Sequence, residues 1–82
     1  MKKIAVISAI LEDPKLCQEQ FNSIVADFRG SIRGRMGIPF DYGISVISLT
    51  VIWELNDINS LTGKLGNING VTVKTAIAKK EI

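Results

Sequence analysis

Histidine is absent from the 82 residues. With it go the commonest general base, the commonest metal ligand and the usual switch near neutral pH. Cysteine occurs once, at Cys17. A single cysteine permits no intrachain disulfide and no cysteine-rich zinc or iron–sulfur site within the chain. Neither sign of charge dominates: 10 Lys and Arg oppose 8 Asp and Glu, for a net +2. A dedicated DNA binder usually shows a concentrated basic face, and this balance does not announce one. Long apolar runs are missing too. The stretch from Ile4 to Leu11 stops at Glu12-Asp13-Pro14, whereas a membrane helix needs about 20 apolar residues. No small-residue cleavage site makes it a signal peptide either. A cytoplasmic location with Cys17 reduced is the default expectation.

What remains is ordinary globular composition, 46% hydrophobic and 22% charged, which excludes wholesale disorder. The length suits one domain over residues 1–82, near the lower end of what folds alone. A small soluble domain that is not an enzyme and needs no cofactor is the expectation.

Lys2 to Leu11 reads as a strand, apolar on both faces: Ile4, Val6 and Ile10 against Ala5, Ile7, Ala9 and Leu11. Doubly covered central strands look like this. Asp13 offers an N-cap and Pro14 the first helical position. Cys17, Phe21, Ile24 and Phe28 then form one stripe of an amphipathic helix, widened by Val25, and Gly30 is placed to end it. Ser31 to Ile38 interleaves Arg33 and Arg35 with Gly34 and Gly37, the pattern of an edge or bulged strand. Pro39 to Gly43 is a turn. Ile44 to Trp53 is the strongest strand, apolar on both faces. Asn56 or Asp57 caps a second helix with the stripe Ile58, Leu61 and Leu65, closed by Gly66. Asn69-Gly70 signals a turn. Val71 to Ala78 alternates as the last strand, and Lys79 to Ile82 reads as a solvated tail.

The order β-α-β-β-α-β in so short a chain points to an α+β fold. It is the ferredoxin-like sandwich, a four-stranded antiparallel sheet with both helices on one face. In that topology the first and third strands are central, and they are the most apolar here. The consequence is an apolar second sheet face, larger than a monomer usually tolerates. Association through the sheet into a homo-oligomer, at least a dimer, is the expected remedy.

Few residues offer chemistry. Thr62-Gly63-Lys64 resembles the end of a phosphate-binding loop. However, the pattern needs glycine where Ile58 sits and Ser or Thr where Leu65 sits, so helix surface is the better reading. Cys17 lies on the apolar stripe, where a free cysteine is usually a small core residue. Glu12, Asp13, Asp27, Asp41, Glu54 and Asp57 show no metal-ligand spacing. That leaves Arg33 and Arg35 with Gly34 and Gly37. Arginine forks bind carboxylates and phosphates, and glycine lets a ligand approach the backbone. With strand alternation both arginines share one face. They make either an anion pocket or an edge that is solubilised or salt-bridged to another subunit.

The runs Gly34-Arg35-Met36-Gly37-Ile38-Pro39, Ile44-Ser45-Val46-Ile47-Ser48-Leu49, Leu61-Thr62-Gly63-Lys64-Leu65-Gly66 and Gly70-Val71 resemble the iron-only hydrogenase system regulator family. The resemblance extends over roughly Lys3 to Lys79. That family is grouped with ACT-like domains and with the regulatory domain of the nickel-responsive repressor. It implies a ferredoxin-like fold, oligomerisation, and a regulatory role in transcription or assembly of the iron-only hydrogenase system. ACT-like relatives bind small ligands, often amino acids, at subunit interfaces. The repressor's metal-binding histidines have no counterpart here, so no metal is expected. Its separate DNA-binding domain has no room before a strand that begins at Lys2 or Lys3. A ligand- or protein-binding regulatory module is therefore the leading expectation. The alternative is a stand-alone DNA-binding transcription factor that uses Arg29, Arg33, Arg35 and the terminal lysines.

Overall fold

The computed structural model describes residues 1–82. Strand β1 spans Lys2–Leu11, helix α1 Pro14–Asp27, strand β2 Ile32–Pro39, strand β3 Ser45–Glu54, helix α2 Leu55–Gly66 and strand β4 Val71–Glu81. A short 3-10 turn, Arg29–Ser31, joins α1 to β2. All pairings are antiparallel and the sheet order is β2-β3-β1-β4. This is the ferredoxin-like arrangement, with the two most apolar strands at its centre.

The core explains the arrangement. Ala5, Ile7, Ala9 and Leu11 of β1 and Ile47, Leu49 and Val51 of β3 turn one face of the sheet toward the helices. Cys17, Phe21 and Val25 of α1 and Ile58, Leu61 and Leu65 of α2 cover it. No polar or charged residue is buried with them. The two alanines of β1 matter here, because small side chains on a central strand let bulky helix residues such as Phe21 settle close to the sheet. Phe28 and Trp53 close one end edge to face, with ring centroids 5.1 Å apart. Lys64 lies 5.2 Å from the centroid of Phe28. Thr62 donates to the Ile58 carbonyl at 2.9 Å, and its hydroxyl lies 2.8 Å from that of Thr75, tying α2 to β4.

Several local expectations are corrected. Helix α2 starts at Leu55, with Glu54 rather than Asn56 or Asp57 at the cap position; Asp57 falls within the first turn, where its charge suits the helix dipole. Asp13 does occupy the cap position of α1, but its side chain makes no capping bond and only its carbonyl receives Leu16 and Cys17. Gly30 does not end α1 in a left-handed conformation; Phe28 ends it, and Gly30 sits inside the 3-10 turn with φ not positive. The left-handed glycines are Gly43 (φ 76°) and Gly70 (φ 84°), one in each turn that follows an expected turn signal. The final residues are not a free tail: β4 continues to Glu81, and the Ile82 amide donates to the Lys2 carbonyl at 2.9 Å.

Candidate functional site

Two surfaces stand out, one on each side of the sheet. The register lays out the open face row by row. Ile38, Val46, Ile10 and Thr72 form one row; Met36, Ser48, Ser8 and Lys74 the next; Gly34, Thr50, Val6 and Ala76 the third; Ile52 and Ile4 begin a fourth. Ile4, Val6 and Ile10 on central β1 remain 40%, 40% and 42% exposed. Neither helix reaches this side. With strands about 4.8 Å apart and rows about 6.8 Å apart, the lattice measures roughly 19 by 27 Å, or about 500 Å2.

The second surface lies on the helix side, along edge strand β2. Arg35 pairs with Leu49, a helix-facing residue, and so points to the same side. Its Nη2 donates to Oδ1 of Asn22 on α1 at 2.7 Å. Its guanidinium carbon stands 5.8 Å from the centroid of the Phe21 ring. Arg35 is thus held between an amide and an aromatic face, yet no carboxylate meets it. The only ion pair in the chain joins the Met1 ammonium to Glu54 at 2.9 Å. That hydrogen bond and the Glu54 charge raise the ammonium pKa above its ordinary 8.0.

The four residues singled out in β2 span an irregularity in the strand. The register slips between Ile32 and Gly34, so that Ile32-Arg33-Gly34 stands opposite the single step from Val51 to Thr50. Arg33 is the extra residue of a β-bulge. The slip accompanies core packing: Ile32, partly buried, packs against the cluster beneath the helices. Positions 32 and 35 have opposite parity and can share a side only if the alternation breaks between them. The expectation that Arg33 and Arg35 project from one regular face meets this slip at Arg33, to which the register gives no partner of its own. Gly34 pairs with Thr50 on the open side, whereas Arg35 and Gly37 belong to the helix side. Sequence reasoning also missed Asn22 and Phe21 as the groups that hold Arg35; their spacing from β2 carries no signal before the fold is known.

Cys17 is buried, and its thiol donates to the Asp13 carbonyl at 3.2 Å. No cluster of three or more Cys, Asp or Glu side chains suited to a metal ion is present. No helix is long and apolar enough to cross a membrane.

A four-stranded antiparallel sheet, two helices on one side and an uncovered apolar face on the other define an ACT-like domain of the ferredoxin-like class. The solved ACT domain of GTP pyrophosphokinase from Chlorobium tepidum is similar to it at 26% identity, covering 93% of this chain and 100% of that one, with a TM-score of 0.78. The chain belongs to the TM1266-like family, described as "Iron-only hydrogenase system regulator, putative", whose model matches residues 3–75. The uncharacterized protein TM1266 from Thermotoga maritima is 31% identical over 96% of this chain and 100% of its own, with a TM-score of 0.92. A protein of unknown function from Galdieria sulphuraria shares the fold at 13% identity and a TM-score of 0.73, covering 100% of this chain and 48% of that one. No curated protein matches.

Proposed function

We propose that the chain is a non-enzymatic, cytoplasmic regulatory module of the iron-only hydrogenase system. It assembles through the open face of its sheet and responds to a small ligand or protein partner. The observation that carries this reading is the open face itself. Seven large apolar residues, Ile4, Val6, Ile10, Met36, Ile38, Val46 and Ile52, face away from the helices across all of β1, β2 and β3. Two copies facing one another bury about 1,000 Å2 in total, the lower bound for a specific interface. That size fits a dimer formed at micromolar concentration rather than an obligate one.

The family description supports the regulatory part of the reading. The resemblance to an ACT domain supports the general form of a module that acts by binding. The residues give chemistry little to work with: histidine is absent, and the one thiol is buried. Of Arg33, Arg35, Gly34 and Gly37, the anion-binding role is carried in this reading by Arg35 and Gly37, whose partners Leu49 and Ile47 face the helices.

Sedimentation equilibrium from about 1 to 100 μM tests the assembly across the range of weak, reversible association. A mass of at least twice 9.0 kDa is expected at the upper end. A species of 9.0 kDa throughout would remove the reading.

A further inference from the structure

Between α1 and the β2–β3 hairpin, on the helix side of the sheet, lies a cleft of about 300 Å3. Leu11 and Ile47 form its buried floor, and Gln18, Arg35, Gly37 and Ser45 line its walls. We propose that this cleft binds one small monocarboxylate with a short apolar tail, the carboxylate held by Arg35. The proposal deepens the ligand-responsive part of the function above and rests on it.

Three observations converge. The first is the state of Arg35. One of the five N–H groups of its guanidinium goes to Asn22, and the chain offers the others no partner. Its charge meets no carboxylate, because the single ion pair lies elsewhere. Contact with the Phe21 ring and the Asn22 amide holds the fork in place before any ligand arrives. A pre-ordered side chain surrenders less rotamer freedom on binding.

The second is Gly37. A glycine inside a strand weakens it and usually marks a bulge or a close approach. Gly37 has no positive φ and lies outside the register slip, so neither a turn nor the bulge requires it. A Cβ built there meets no atom within 4 Å, as at every other glycine of the chain, so the position borders open space. Nothing in the chain demands the missing side chain. Gly37 pairs with helix-facing Ile47, so the space left open is on the side of the cleft.

The third is the character and size of the cleft. Its floor is apolar, and its walls offer one cation, the Gln18 amide and the Ser45 hydroxyl. Its volume stands at the lower end of small-molecule sites, about 300–1,000 Å3. A nucleotide needs more room, a surface for its base and more than one fixed cation for its phosphates. Here no aromatic ring lines the cleft, and Arg35 is its one lining cation. A planar carboxylate matches a single fork, and a short alkyl tail matches the floor.

The probe is sodium butyrate, titrated into the isotopically labelled full chain at constant ionic strength and followed by amide resonances. Saturable shifts are expected at the Gly37 backbone amide and at the Gln18 and Asn22 side-chain amides. Arg35→Ala should weaken binding roughly 10- to 100-fold, the range for losing a charge-assisted pair. Arg35→Lys should not restore it, because the fork is lost. Gly37→Val should abolish binding while leaving the melting temperature and sedimentation mass as in the wild type. Inorganic phosphate should give no saturable shift at these groups. Shifts that fail to saturate, that saturate equally in Arg35→Ala or Gly37→Val, or that phosphate reproduces would overturn the proposal. Mass measured on the same samples separates this outcome from failure of the assembly: a monomer that binds butyrate refutes only the sheet contact, and an oligomer that ignores it refutes only the cleft.

Discussion

Val46 and Ile47 are neighbours in β3 with opposite fates, and replacing each by lysine separates folding from assembly. Ile47 is 5% exposed and lies in the core beneath the helices. Removing a buried isoleucine side chain forfeits about 1.5–3 kcal/mol. Placing an unpaired ammonium there adds several kcal/mol more. A domain of this length is stable by about 4–12 kcal/mol, at 0.05–0.15 per residue. Ile47→Lys should therefore leave the chain largely unfolded at 25 °C, with its cooperative circular-dichroism transition lost. Val46 stands between Ile38 and Ile10 on the open face. In a monomer, lysine there costs about 1 kcal/mol or less, the span of strand propensities. In a symmetric dimer the same change buries two charges without partners. At about 2 kcal/mol for each, the dissociation constant should rise about 1,000-fold. Val46→Lys should melt cooperatively near the wild-type temperature and sediment as a monomer at concentrations where the wild type is associated. A Val46→Lys protein that keeps the wild-type mass would refute the sheet contact. It would mean that Ser8, Ser48 and Thr50 already make this face wet enough to stand alone.

Cys17→Ala should lower stability by about 1–2 kcal/mol in chemical denaturation through lost packing. The native thiol should react slowly with a thiol reagent, and rapid labelling would show that the helix N-terminus opens. In protein that retains Met1, the raised ammonium pKa means that the pair with Glu54 contributes fully below the ordinary value of 8.0 and is lost as pH rises through the raised one. Because both side chains are largely exposed, Glu54→Gln should change thermal stability only slightly at pH 7 and not at all once the ammonium is deprotonated. A large difference at neutral pH would show that the pair is shielded from water. A duplex DNA fragment should show no mobility shift at about 50 mM salt, where nonspecific electrostatic binding is strong. A shift that weakens steeply with salt would favour the reading in which the basic residues contact DNA.

Most of the architecture was legible because hydrophobic period and turn chemistry act locally. The two-sided apolar run of Lys2–Leu11 marks a central strand, and the stripe Ile58, Leu61 and Leu65 reports a face whose every residue is buried. Helix ends were less legible. Asn56, Asp57 and Gly30 are good capping types, but the helices end where the tightly connected strand and the core require, and no side-chain cap bond forms at either start. The candidate site shows the sharper boundary. The glycines and arginines of β2 singled out one strand, and its register, which slips once at Arg33, sets the side that Gly34, Arg35 and Gly37 face. Alternation along β2 predicts Ile32 and Arg35 on opposite sides, whereas the register sets both against helix-facing partners, Val51 and Leu49. Partial burial of Ile32 against the core is a gain of the same order as the roughly 1 kcal/mol of one ladder hydrogen bond. The bulge at Arg33 lets Ile32 share the helix side with Arg35, which there meets Asn22 and Phe21. A strand's sequence can therefore nominate binding residues while its register decides which of them meet. In this chain pairing with Leu49 and Ile47 sets Arg35 and Gly37 on the side of the cleft.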